Sequence, residues 1–273
     1  MRYAFVWLAA VAVILAAPFR AAFASDLIPQ DILDRMKQSD VVILGEFHDN
    51  ARHHQIQAEA VRALQPKAVV WEMLTAEGAA RVNRNLISDE QKLAIELKWE
   101  ELGWPPLEMY LDIFRAAPDA PLHGALVPRA AAHSAMERGA AVALGADAAR
   151  YGLTVPLPPE EQAARIADQY AAHCEALPEE MLPQMVEVQR LRDAVLARAT
   201  IEALADDGAP VVVITGNGHA RKDRGIPVYL ARRQPGVRVF VLGQSEDGRI
   251  DGEFDAVIDS PPAEREDPCK AFE

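Results

Sequence analysis

The stretch Val41-Val42-Ile43-Leu44-Gly45-Glu46-Phe47-His48 constrains this chain more than any other, because an apolar run stops at a glycine and gives way to a carboxylate and an imidazole. Four β-branched or aliphatic residues closed by a glycine predict a buried strand that delivers its last side chains to the edge of a sheet. Two later runs end the same way, at Val69-Val70-Trp71-Glu72 and at Val211-Val212-Val213-Ile214-Thr215-Gly216-Asn217-Gly218-His219. Open parallel sheets gather such strand ends around the crevice they use for ligands. Glu46, His48, Glu72 and His219 are therefore expected around one opening.

The segments between these runs have the composition of helices. Asp49 or Asn50 can cap a helix reaching about Leu64, and Pro66 stops it before the strand Ala68 to Trp71. That β-α-β spacing suits parallel pairing. Helical patterns follow from Thr75 to Leu93, with an asparagine-containing interruption, through Tyr110 and Phe114, and from Ala130 to Gly139. Two more run from Glu160 to about Glu175 and from Pro183 to about Ala205. Leu122 to Val127 reads as a short third strand and Val237 to Leu242 as the last firm one, while Ala256 to Ile258 is at best an edge segment. The whole pattern predicts an α/β fold, a mostly parallel central sheet flanked by helices, with an insertion or subdomain in the helical segments around 75–117 and 160–207.

The first residues stand apart. Arg2 precedes an almost wholly apolar stretch from Ala4 to Pro18, and Ala22-Phe23-Ala24 has the small-x-small form that signal peptidase accepts. A signal peptide over residues 1–24 is expected, with residues 25–273 exported as a single domain to the periplasm or beyond. No cysteine closes the apolar stretch, which argues against lipidation, and no later run is long and uncharged enough to cross a bilayer. The formal charge of −13 argues against a broad nucleic-acid surface. Cys174 and Cys269 would both reach a compartment where disulfides persist; a bridge would tie the tail to the helical region, and two free thiols are the alternative.

Several residues carry chemistry. Glu46, His48, Glu72 and His219 can hold a divalent cation, position a water for general-base attack, or form a hydrogen-bonded network without turnover. Gly216 and Gly218 permit close backbone approach or positive φ beside His219. His53 and His54 fall in the early turns of the first helix, one of them must face the sheet or crevice, and His54 joins the metal candidates. Arg129, just after a proline turn, can receive a propionate, carboxylate or phosphate at a helix start. Tyr170 and His173 share a helical face, and a phenolate or imidazole can bind haem iron, with Met181 and Met185 as apolar packing beside a porphyrin. Trp99 and Trp104 flank a proline-rich turn that reads as a hydrophobic clamp. Gln189, Arg192 and Asp193 share part of one helix circumference. Phosphate-loop, HExxH, Gly-x-Ser-x-Gly and CxxCH motifs are absent.

At Leu44-Gly45-Glu46-Phe47-His48-Asp49-Asn50 and Gly216-Asn217-Gly218-His219 the chain resembles the ChaN-like haem-binding uptake family. That family sits in a broader group with the Tiki metalloproteases, TraB proteins and erythromycin esterases. The resemblance runs from about Val41 to Leu242 and takes in Glu72, Pro128-Arg129 and Gln189-x-x-Arg192-Asp193-Ala194. It implies an exported α/β protein of haem or iron acquisition, with haem held non-covalently by a tyrosine between the protomers of a homodimer and delivered with outer-membrane uptake machinery. Tyr170 is then the expected iron ligand and Arg129 the expected propionate partner, with His173 and Met185 beside the porphyrin. Wider-group enzymes use corresponding glutamates and histidines for metal-assisted peptide cleavage or for water activation in ester hydrolysis. The second expectation is therefore a peptidase or esterase in which Glu46, His48, Glu72 and His219 act on substrate or, with His54, bind a divalent metal. A non-catalytic envelope interaction protein is the third.

Overall fold

Alternation within short apolar strands decides the architecture. In a computed structural model that describes residues 27–267 and 269–270, six strands form one parallel sheet: β1 (Val41–Leu44), β2 (Ala68–Trp71), β3 (Leu122–Gly124), β4 (Val211–Ile214), β5 (Val239–Glu246) and β6 (Ala256–Ser260). The expected signal peptide and its cleavage point lie outside the described residues. The strand order is β3-β2-β4-β1-β5-β6. All five pairings are parallel, with Val41 opposite both Val211 and Val239 and Trp71 opposite Ile214. β1 thus lies between β4 and β5, and β4 separates it from β2.

Period-two alternation sends successive side chains to opposite faces. Val42, Leu44, Val69, Trp71, Val212, Ile214, Phe240 and Leu242 enter one core, with Tyr110, Phe114 and Trp99. Val41, Ile43, Ala68, Val70, Val211, Val213 and Val241 enter the other, with Leu191, Leu196 and Leu230. A sheet covered on both faces has no polar positions along its inner strands, which is why these runs are continuously apolar. Along β1, β2 and β4 polar groups are confined to the residues just beyond the strand ends.

The helices follow their local signals. Asn50 caps Ala51–Leu64, its side chain accepting from Arg52 N at 2.9 Å. The stretch expected as an interrupted helix from Thr75 divides into Ala76–Arg81, Arg84–Ile87 and Glu90–Leu97, each with a side-chain cap from Thr75, Asn83 or Asp89. β3 is shorter than expected, since after Gly124 the chain instead hydrogen-bonds Leu126 N to Leu74 O at 2.9 Å. β5 is longer, because Leu242 to Glu246 pair with β6. Pro159–Ala172 and the first turns of the 25-residue helix Leu182–Asp206 border the carboxyl ends of the strands, and the rest of the longer helix packs on one face of the sheet. Cys174 and Cys269 are bridged, with their α-carbons 5.4 Å apart, so the tail is fastened to the turn between these two helices. Among the described residues no helix is long and apolar enough to cross a membrane.

Candidate functional site

Because polar side chains are excluded from the strand interiors, those at the carboxyl ends meet. Glu46, His48, Glu72 and His219 all line one cavity of about 1110 Å³, together with Phe47, Trp104, Arg192 and Asp193. The helix Pro159–Ala172 contributes Arg165, Asp168, Gln169 and Ala172 to the wall, at the spacing that keeps residues on one helical face.

Glu46 is the centre of the first cluster, 2 % exposed. His48 Nδ1 donates to its Oε1 at 2.6 Å, and the Tyr110 hydroxyl donates to the same oxygen at 3.0 Å. His54 Nε2 lies 3.5 Å from the other oxygen. Burial alone would push the Glu46 carboxyl up, but hydrogen bonds and charge from His48 and His54 outweigh it and hold it far below the usual carboxylate range. Burial likewise pulls His48 down, and the bond to Glu46 with the charges of Glu72 and Glu46 overcomes this to place its pKa at about 9. His48 is thus an imidazolium at neutral pH, its side chain 31 % exposed and 5.1 Å from the Trp104 ring.

The second cluster is built on Glu72. Its Oε2 accepts from Thr215 Oγ1 at 2.7 Å and from Gly216 N at 2.8 Å. Its Oε1 faces His219 Nε2 at 3.5 Å, and His219 Nδ1 donates to Asp193 Oδ1 at 2.6 Å. Burial opposes the charge on His219, yet Glu72 and Asp193 raise its pKa, while His219 and His48 lower that of Glu72 against burial. The two clusters approach each other where His48 Nε2 comes within 4.0 Å of Glu72 Oε2. Two glycines make this packing possible. A Cβ on Gly45 would collide with Asn217 Oδ1, and one on Gly216 would come within 3.0 Å of His48 Nε2. Gly218, expected to serve the same purpose, has open space around it and an ordinary φ.

The expected residues divide into two sets. Glu46, His48, Glu72 and His219 come together, with His54 buried directly behind Glu46. His53 is buried as well, but it accepts from Phe47 N at 3.0 Å and faces Ser245 O, away from the carboxylates. Tyr170, half-buried, lies on the helix that forms one wall without lining the cavity, and His173 closes that helix with Nδ1 2.8 Å from Gln169 O. Met185 and the exposed Arg129 do not line the cavity either. Nor do the five residues considered as metal ligands form a metal-binding group. Among the described residues no three of His, Cys, Asp and Glu are placed to hold an ion, since these carboxylates and imidazoles are turned toward one another.

Three partners were not assigned from the sequence. Asp193 was visible as a carboxylate on the inner side of a mostly apolar helix, a position that demands a partner. Tyr110 carried no such signal, because its hydroxyl meets Glu46 across 64 residues of sequence. Trp104 carries a buried Nε1 without a hydrogen-bond partner among the described residues.

A family model described as haem-binding uptake, Tiki superfamily, ChaN matches residues 32–230. No curated protein matches the chain. Among solved structures, ChaN of Campylobacter jejuni, described with cofacial haem binding, is similar at 21% identity and a TM-score of 0.61, over 81% of this chain and 87% of that one. At this identity the likeness is one of fold. The type III effector HopBA1 is more distant, at 14% identity and a TM-score of 0.46, over 85% of this chain and 92% of that one.

Proposed function

The chain belongs to the haem-binding uptake family, ChaN, of the Tiki superfamily, and from that premise we propose that it binds haem non-covalently at the strand-end cavity, outside the cytoplasm. The observation that carries the proposal is the make-up of the cavity wall. Phe47, Trp104 and Ile250 offer apolar and aromatic surface, and Arg192 offers a cation, the two surfaces an amphiphilic tetrapyrrole needs. When bound, haem supplies the iron. The chain's part is to shield the ring and hold its acidic edge. Tyr170 lies on the wall helix without lining the cavity, so its proposed role as iron ligand requires the haem to extend past the cavity mouth toward a second protomer, with His173 at the end of the same helix and Met185 on the helix packed against it. His48 is poorly suited to that role, because its raised pKa leaves no free lone pair at neutral pH.

Export through the expected signal peptide, a homodimer with haem between protomers, and delivery with outer-membrane machinery complete the proposal. Titration of the metal-free mature protein with haem tests its core. A saturable Soret shift that changes in Tyr170→Phe is expected; absence of saturable binding rejects it.

A second proposal is favoured by a different observation, the pairing of Glu46 with His48 and of Asp193 with His219 beside the cavity. These pairs suit water activation, with Glu72 or Glu46 as proton acceptor and His219 or His48 as donor to a leaving oxygen. Divalent-metal binding through His48 would require its imidazole, with a pKa raised to about 9, to shed a proton, so calorimetric metal titrations should show uptake that strengthens as pH rises toward 9. Ester and peptide turnover abolished by Glu46→Gln in a folded protein would support hydrolysis, and turnover unchanged by it would remove these residues from the role.

A further inference from the structure

The arginines around the cavity differ in what neutralises them. Arg165 is held by Glu161, Arg221 by Asp223 and Arg224 by Asp168, each at 2.6 Å. Arg249 lies 3.9 Å from Asp247. Arg192 lines the same cavity and, among the described residues, makes no hydrogen bond or ion pair. Asp193, its neighbour in sequence, is committed to His219. Gln189, three residues earlier on the helix Leu182–Asp206 and also lining the cavity, likewise has no hydrogen-bond partner among the described residues.

This leaves a guanidinium and a carboxamide side by side on one helical face, both open to the cavity. The guanidinium also repels its surroundings: its charge acts on His219 against the pull of Glu72 and Asp193. An anion placed beside the guanidinium offsets that uncompensated charge. The planar fork of arginine matches a carboxylate with two parallel donors, and an adjacent amide NH₂ supplies a third. Phe47, Trp104 and Ile250 in the same lining give the rest of such a ligand an apolar seat.

We propose that Arg192 and Gln189 form a carboxylate-binding subsite of the strand-end cavity, which selects apolar ligands that bear a carboxylate. The subsite rests on the haem proposal for this cavity and deepens it by assigning a propionate to Arg192, whereas Arg129, exposed and off the cavity wall, has no part in it.

The test compares haem with haem dimethyl ester, whose carboxylates are blocked, binding to the wild-type protein, Arg192→Met and Arg192→Lys, with circular dichroism confirming the fold of each. Arg192→Met should weaken haem binding by roughly tenfold or more, the loss of a charge-assisted contact, and leave the ester unaffected. Arg192→Lys should retain part of the affinity. Equal haem affinity in wild type and Arg192→Met, or equal weakening of haem and ester, overturns the subsite while leaving haem binding standing. Failure of the wild type to bind either porphyrin overturns the haem proposal instead. Phenylacetate then tests the subsite by itself through calorimetry: saturable binding lost in Arg192→Met upholds it, and no binding to wild type overturns it.

Discussion

The sheet side and the helical side of the cavity are built on opposite plans. At the carboxyl ends of β1, β2 and β4, Glu46, Glu72 and His219 are buried and turned toward partners. On the helical side Asp193 and Arg165 are paired as well, but Arg192 and Gln189 of the helix Leu182–Asp206 face the same space without partners among the described residues. A carboxylate at the end of a buried strand must be paired to be tolerated, whereas a long side chain on a half-exposed helix can remain solvated until a ligand arrives. The sheet therefore sets a paired polar floor, and the helix Leu182–Asp206 leaves two polar side chains open to the cavity.

Substitutions on the two sides should separate accordingly. The largest effect is expected from Glu46→Ala, which leaves the His48 ring without its acceptor, takes one of two acceptors from the Tyr110 hydroxyl and removes the carboxylate facing His54. Breaking one partner of a buried charged network should cost about 3–5 kcal/mol, measurable as a lower denaturation midpoint in urea. A loss under about 1 kcal/mol would mean the floor is not held by this carboxylate.

The helical side depends on a covalent tie instead. Replacing Cys174 and Cys269 with serine frees a loop spanning a sequence separation of 95 residues and should cost about 2–4 kcal/mol. Urea titration of oxidised protein and of the double variant checks this, and coincident curves would show that the bridge does not constrain the unfolded chain.

The effect of pH sharpens the contrast further. The His48 pKa is raised from 6.5 to about 9 in the folded protein, so its stabilisation is fully present below pH 6.5 and is lost as pH rises through about 9. With a side chain 31 % exposed, solvent screening leaves about 1–2 kcal/mol of this. Stability measured from pH 6 to 10 should fall over that window in wild type and stay flatter in His48→Gln.

The smallest effect belongs to Arg192→Met. An arginine without an internal partner should change stability by less than about 0.5 kcal/mol, whatever it does to ligand affinity. A large loss of stability would place Arg192 in the fold's own framework and erase the distinction between the two sides.

Much of this was legible from residue order. The runs ending at Gly45-Glu46, Trp71-Glu72 and Gly218-His219 disclosed both the parallel sheet and the floor, because continuous apolarity followed by an abrupt acid or imidazole has few other physical readings. A helix cap at Asp49 or Asn50 and an asparagine break after Thr75 were equally open, since both are local backbone chemistry, and the structure assigns them to Asn50 and Asn83. Tyr110 was hidden because its role depends on a long-range approach to Glu46. The placement of Tyr170, His173, Met185 and Arg129 depended on how two helices lie over the sheet, and periodicity gives a helix its inward face without saying which cavity that face meets.

The most direct test of the account is the structure of the protein loaded with haem. It should place the porphyrin against Trp104 and the strand ends, with a propionate oxygen within hydrogen-bond distance of the Arg192 guanidinium. Haem seated only on a surface remote from Glu46, His48, Glu72 and His219 would contradict it.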